Sequence, residues 1–314
     1  MFLPFQPDIR WKLARQAGAT HAIVKLAPDL TNGYNPPWDI AVLREAKRRF
    51  NEAGFELWAL EGDQFDMTRI KLGLPGRDDD IELYQKMLAN MGETGILFLC
   101  YNFMAGIGWY RNQTNLEERG GAITCGFDMN EVEPAEEKIS SEQVFENYRY
   151  FIERVLPAAE AAGVRMGLHP DDPPIPSLGG YGRFLYNADG YRRAMALSDS
   201  PSHGITFCQA NFFAMGEDVP ALVREWKDRI GFVHFRDVRG DQTHFVETFH
   251  DDGPHDMAAL IRVYQEIGFD GVVRTDHAPS MEGEGAATGY QMLGHLFALG
   301  YLKGLLDAAK SESR

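Results

Sequence analysis

Val164-Arg165-Met166-Gly167-Leu168-His169 is a short apolar run that ends on an imidazole. Three later stretches repeat the pattern: Ile205-Thr206-Phe207-Cys208, Gly231-Phe232-Val233-His234 and Val272-Val273-Arg274-Thr275-Asp276. Each closes on a side chain that binds metals, and the four closing residues are separated by 39, 26 and 42 positions. Such gaps exclude a zinc finger or ribbon, whose ligands come in pairs a few residues apart. Ligands this far apart converge only if the four runs lie side by side with their ends on one face. A barrel of parallel strands achieves this, because its working groups project from the C-terminal ends of several strands.

Outward from these runs, a unit of helix, glycine and apolar strand recurs along the chain. Gly18 precedes the run from His21 to Leu26, Gly54 the run 55–60 and Gly95 the run 96–101. Gly163, Gly204 and Gly231 introduce the runs that end near His169, Cys208 and His234; a weaker run from Thr243 to Phe249 follows, and Gly271 opens the last. A glycine just past a helix suits the left-handed cap position, where a Cβ would clash. Short continuous apolar runs suit parallel strands buried on both faces. The clearest helix is expected from Ser141 to Ala162, with Ser140 and Gln143 at capping-box spacing and Phe145, Tyr148, Phe151, Ile152 and Val155 as its apolar stripe. Eight strands with interleaved helices predict one α/β domain over residues 1–314, a (β/α)8 TIM barrel rather than an open doubly wound sheet. No Gly-rich phosphate loop follows the first strand, which argues against a dinucleotide site. Two connectors are long, about 103–139 after the third strand and 170–186 after the fourth. Both leave the face where the ligands gather, so they are expected to roof the site, with 103–139 as a lid.

The chain has 314 residues, 44% of them apolar and 25% charged, which describes a globular protein with a sizeable core. No apolar stretch approaches the roughly 18 residues that cross a bilayer, and the start, Met-Phe-Leu-Pro-Phe-Gln-Pro, is not a secretion signal. Three cysteines point to a reduced, cytoplasmic setting. A formal charge of −15 argues against a nucleic-acid partner. An anionic small substrate would need local cations to overcome that field.

The four strand-end residues His169, Cys208, His234 and Asp276 are therefore the expected metal ligands. Imidazoles with a carboxylate suit many divalent ions and a thiolate leans toward the softer ones, which leaves Mn, Fe, Co and Zn open. His277, fixed in place next to Asp276, is a candidate proton carrier; its plainer role is to orient Asp276. Arg236 shares the barrel face of His234 by strand alternation and, with Lys25 and Arg274, could hold a substrate carboxylate; an internal salt bridge with Glu61 or Glu247 is the alternative. Glu61 and Glu247, at the ends of the second and seventh runs, and His250 and Asp252 beyond them, could bind sugar hydroxyls or extend the metal shell. Trp109 and Arg111 are expected to join the site from the long 103–139 loop. Asp171 and Asp172 read as loop-shaping residues, and Cys100 and Cys125 carry no evident chemistry. His21, His203, His244, His255 and His295 read as structural or surface residues.

Several of these stretches together resemble the mannonate dehydratases of bacterial hexuronate breakdown. They are Glu61-Gly62 with Ile70-Lys71-Leu72-Gly73, Cys100-Tyr101-Asn102-Phe103-Met104 with Trp109 and Arg111, His169-Pro170-Asp171-Asp172-Pro173-Pro174, and Cys208. They continue with His234-Phe235-Arg236-Asp237-Val238, Glu247 with His250 and Gly253, Asp256-Met257, and Asp276-His277 followed by Gly289-Tyr290. The resemblance implies a xylose-isomerase-like (β/α)8 barrel and an Mn(II)-dependent lyase, with Fe(II) or another divalent transition ion as the alternative metal. It implies loss of water from D-mannonate to give 2-keto-3-deoxy-D-gluconate. It places metal ligands at His169, Cys208, His234 and Asp276, an acid/base pair at His277 and Tyr290, and substrate contacts at Tyr101 and Asn102 as well. A homo-oligomer, dimer or tetramer, is the expected assembly. Three rivals remain at this point: a metal-dependent sugar isomerase or epimerase on the same barrel, a dehydratase for a different aldonate, and a non-catalytic homologue that binds a sugar acid.

Overall fold

A computed structural model describes residues 1–27, 35–286 and 289–312. Seven strands lie parallel and in chain order: His21–Val24, Glu56–Glu61, Phe98–Tyr101, Arg165–Leu168, His203–Cys208, Ile230–His234 and Val272–Arg274. Helices cross between them, Ile40–Glu52, Arg77–Thr94, Ser141–Ala162, Ala188–Met195, Val219–Glu225 and Met257–Glu266 among them, and Met292–Glu312 follows the last strand. This is the alternation of a βα barrel. On the open edge of the first strand, Phe2 makes a parallel bridge to Ile23. The Phe2 ring also lies under the Arg274 guanidinium of the last strand, 5.5 Å from its carbon, so residues 1–3 help close the barrel.

The helix from Ser141 to Ala162 forms as expected. Ser140 caps it by accepting from Gln143 N, and Gly163 ends it in the left-handed conformation at φ 66°. Its stripe of Phe145, Tyr148, Phe151, Ile152 and Val155 is buried against the barrel wall. Gly204, Gly231 and Gly271 differ from the cap reading, since none has a positive φ. Gly231 instead makes room: a Cβ there would stand 2.4 Å from a ring carbon of Phe98. Phe98 stacks on Trp58 at 4.7 Å and meets Phe232 edge-on at 5.9 Å, and these rings plug the barrel interior.

The predicted seventh strand is corrected. His244–Glu247 does not join the barrel; Ile230–His234 pairs directly with Val272–Arg274. The run instead forms a hairpin with Val238–Asp241 and adds the strands Ile123–Asp128 and Gln113–Glu117 of the 103–139 segment in one antiparallel sheet. Its burial alternates, with His244 exposed, Phe245 buried, Val246 partly buried and Glu247 buried. That pattern suits a sheet wetted on one face and not a barrel strand covered on both. The 103–139 segment is thus half of a built roof, sealed beneath by Phe127, Phe245, Val238 and Ile175. Among the described residues, no helix is long and apolar enough to cross a membrane.

Candidate active site

A cavity with an empty volume of about 480 Å³ opens at the C-terminal ends of the barrel strands. Glu61, Cys100, Tyr101, Asn102, His169, His234, Arg274, Asp276, His277 and Tyr290 line it, with Met104, Trp109 and Asp172 from the roof loops. Strand-end placement therefore brings together residues from five of the seven strands or the turns just after them.

On the floor, donor atoms of His169, Cys208 and His234 all lie within 4.8 Å of one another, an arrangement able to hold a metal ion. His169 Nδ1 sits 2.8 Å from the carbonyl of Pro170 and can only donate to it, which leaves Nε2 with its lone pair. His234 Nδ1 is buried without a hydrogen-bond partner, and burial holds this imidazole well below its usual pKa, so the ring stays neutral as a ligand must. Asp276 borders the cluster, with Oδ2 3.5 Å from His234 Nδ1 and 3.7 Å from Cys208 Sγ. The same carboxylate also accepts from Arg236 and Arg274. Burial pushes the Cys208 thiol up, so metal loading must displace its proton. Two imidazoles, a thiol and a carboxylate edge fit a divalent transition ion.

Asp276 itself has φ 55°, a left-handed backbone that aspartate tolerates better than most residues. The turn lets adjacent side chains serve different partners. His277 Nδ1 stands 3.0 Å from Glu247 Oε1, and its Nε2 stands 3.0 Å from the Tyr290 hydroxyl. Trp109 meets the His277 ring edge-on at 5.3 Å from the roof. Tyr290 lies exposed at the cavity mouth.

Glu247, Arg236 and Arg111 are expected substrate contacts, with an Arg236–Glu247 salt bridge as the alternative; the structure has that salt bridge and pairs Arg111 with Glu247 as well. Arg236 donates to Asp276 Oδ2 at 2.7 Å, Glu247 Oε2 at 2.8 Å, Asp172 Oδ2 at 2.9 Å and Asn211 Oδ1 at 2.6 Å. Arg111 donates to Glu247 Oε1 and to Asp172 Oδ1, each at 2.5 Å. Two guanidiniums and two carboxylates alternate, nearly dry, and join the roof to the barrel. None of these three residues lines the cavity. Asp172, read as loop-shaping, does line it, and it diverges from Asp171, whose carboxylate accepts from Leu185 N.

Glu61 lines the cavity, accepts from Arg274 at 2.7 Å, and keeps Oε2 buried without a partner; burial lifts its pKa to about 7. Tyr101 and Asn102 also face the cavity, held by Tyr148 and Lys71. Lys25 and His250 do not line it: Lys25 borders a neighbouring cavity, and His250 sits 2.6 Å from the carbonyl of Thr275. Cys100 was passed over, yet it faces the cavity and groups with Glu61 and His234. Its position near the end of an apolar run, like that of Cys208, was the available signal.

The profile of the D-mannonate dehydratase (UxuA) family matches residues 7–138 and 134–314. Mannonate dehydratase 1 of Halalkalibacterium halodurans is 31% identical, over 96% of this chain and 92% of that protein. The crystal structure of mannonate dehydratase from Streptococcus suis serotype 2 superposes with a TM-score of 0.90 at 28% identity, covering 100% of this chain and 94% of that one. A xylose isomerase domain protein from Planctomyces limnophilus shares only the fold, at TM-score 0.62 and 14% identity over 99% and 96% of the two chains. With the profile spanning nearly the whole sequence, the chain belongs to the D-mannonate dehydratase family.

Proposed function

We propose that this chain removes water from D-mannonate to give 2-keto-3-deoxy-D-gluconate, as a hydro-lyase that uses a divalent transition ion. One observation carries the reading: a His-Cys-His donor cluster and a hydrogen-bonded imidazole–phenol pair open onto the same cavity, in a chain of this family. The slow part of such a reaction is loss of the C2 proton, because charge collects on the substrate carboxylate. An ion held by His169, Cys208 and His234, with Asp276 at its edge, supplies Lewis-acid stabilisation of that charge when bound. The thiolate disfavours Mg(II) and Ca(II) but leaves Mn, Fe, Co and Zn open; Mn(II) is the proposed ion and Fe(II) the alternative because the family resemblance implies them.

The proton traffic falls to the chain's own side chains. His277 presents the Nε2 lone pair and takes the C2 proton. Tyr290, whose phenol burial pushes above the usual range, still holds its proton at neutral pH and gives it to the departing C3 hydroxyl, which leaves as water. The pair is then imidazolium and phenolate across a 3.0 Å contact. One transfer along that contact restores both groups without bulk solvent. The enol product becomes the ketone as its hydroxyl proton leaves and C3 gains one. Glu61, Tyr101, Asn102 and Trp109 are the proposed contacts to the sugar acid. All three cysteines are buried and free, which supports a reduced, cytoplasmic setting.

The test is a panel of aldonates with Mn(II), assayed for 2-keto-3-deoxy acid. An isomerase or epimerase would return a product that keeps its water. Absence of keto-deoxy product from every aldonate, with Mn(II), Fe(II) and Co(II) each supplied, sinks the proposal.

A further inference from the structure

We propose that Glu247 is a positioning residue for the proton transfers: it fixes His277 in the Nδ1–H tautomer and so makes Nε2 the working atom. The inference rests on the dehydratase reading only for its kinetic arm.

The argument is one of lone pairs. Glu247 Oε1 accepts from Arg111 Nε at 3.1 Å and from Arg111 Nη2 at 2.5 Å, while Oε2 accepts from Arg236 Nη1 at 2.8 Å. Burial alone would raise this carboxyl, but Arg236, Arg111 and His277 together hold it below the usual carboxylate range. Glu247 is therefore ionised and has no proton to offer. An ionised carboxylate is acceptor-only, so the ring nitrogen 3.0 Å from Oε1 must carry hydrogen. In the neutral imidazole that hydrogen is the only one. Nε2 is left with its lone pair, aimed at the Tyr290 hydroxyl 3.0 Å away, which donates to it. The opposite tautomer would set two lone pairs against each other at Nδ1, whereas the Tyr290 hydroxyl can donate or accept and so follows the choice that Glu247 makes.

Glu247 reaches this place on the roof, not on the barrel. Its hairpin pairs with Ile123–Asp128, and Thr124 Oγ1 donates to the Glu247 carbonyl at 3.0 Å. The roof sheet thus aims a carboxylate at a residue carried by the last barrel strand's turn.

The experiment uses the full chain with 15N-labelled histidine and Zn(II) in the site, which leaves nearby signals sharp where Mn(II) would broaden them. The His277 resonances are identified by their loss in His277→Gln. The expected result is a protonated Nδ1 and an unprotonated Nε2; an Nε2–H signature in the wild type overturns the proposal, whatever the enzyme turns over. In the kinetic arm, Glu247→Gln places an amide where only an acceptor fits and should lower kcat roughly 10²–10⁴-fold with KM changed far less. Arg111→Lys disturbs the same roof contact without touching His277, and should lower thermal stability while the tautomer stays Nδ1–H. A kcat within a few-fold of wild type in Glu247→Gln, or a tautomer lost equally in Arg111→Lys, reduces Glu247 to a roof fastener. If no aldonate is dehydrated yet the tautomer is as stated, the functional reading fails and the placement of the imidazole stands.

Discussion

Arg236 Nε donates to Asp276 Oδ2 at 2.7 Å, so the carboxylate that borders the metal-donor cluster is also one arm of a buried ion pair. Arg274 takes the other oxygen. Two guanidiniums already offset this charge, and Arg274 Nη2 also lies 3.4 Å from His234 Nε2, which leaves His169, Cys208 and the unpartnered Nδ1 of His234 as the donors best placed for a metal.

Metal removal should therefore abolish activity, and Mn(II) should restore it. Cys208→Ser is expected to lose bound metal far more than fold stability, because the side chains differ by one atom while the softer donor disappears. Elemental analysis of the purified variant decides this. Metal content equal to wild type takes cysteine off the ligand set.

His277→Gln and Tyr290→Phe should each lower kcat roughly 10²–10⁴-fold, the worth of a positioned base or acid, with metal content near wild type. The two part in deuterated water. His277→Gln should stop exchange of the substrate's C2 proton, whereas Tyr290→Phe should retain exchange when expulsion of hydroxide has become the slow step. Exchange that survives in His277→Gln reverses the assignment of base and acid.

Trp109 is 40% exposed, stands edge-on to His277 and lies 4.9 Å from the Arg111 guanidinium carbon. Substrate binding should bury it. The wild-type minus Trp109→Phe fluorescence difference should shift to shorter wavelength on adding a sugar acid with metal, and limited proteolysis within 103–139 should slow. An unchanged difference spectrum together with an unchanged cleavage rate removes the lid role of this segment.

His203 gives a pH dependence of stability. It is fully buried between the Tyr148 hydroxyl, 2.8 Å from Nε2, and the carbonyl of Ser198, and burial lowers its pKa from 6.5 to about 4. The depressed value means that the unfolded chain takes up the proton first as pH falls. The stability is therefore whole above pH 6.5 and drains as pH falls toward 4, by on the order of 3 kcal/mol. Denaturant midpoints measured across that window should fall more steeply for wild type than for His203→Gln. Equal slopes would show that His203 is not the group responsible.

The barrel and the donor cluster were legible because both rest on short-range pattern. Continuous apolar runs ending in His169, Cys208 and His234 identify strands buried on both faces and place the ligands at their ends. The Thr243–Phe249 run misled because strand propensity says nothing about which sheet a strand joins, and its alternation was too short to weigh against the expected count of eight. The Arg236–Glu247 pair is open to the sequence only as the alternative to a substrate contact, and the partners of Arg111 are illegible in it. Arg111 meets Glu247 136 positions away and Asp172 61 positions away, and nothing local separates an arginine awaiting a substrate carboxylate from one already matched. For Glu247 the sequence leaves sugar hydroxyls, the metal shell and a salt bridge open; in the structure its oxygens accept from Arg111 and Arg236.

The two-piece construction of the roof bears on how this scaffold can be altered. One piece comes from the segment after Phe98–Tyr101 and the other from the segment after Ile230–His234, and the two pair edge to edge in one sheet. A loop swapped in alone from a homologue would bring half a sheet, strand an arginine or a glutamate, and leave the imidazole free to turn over. A chimera that exchanges 103–139 should therefore work only when 238–247 travels with it.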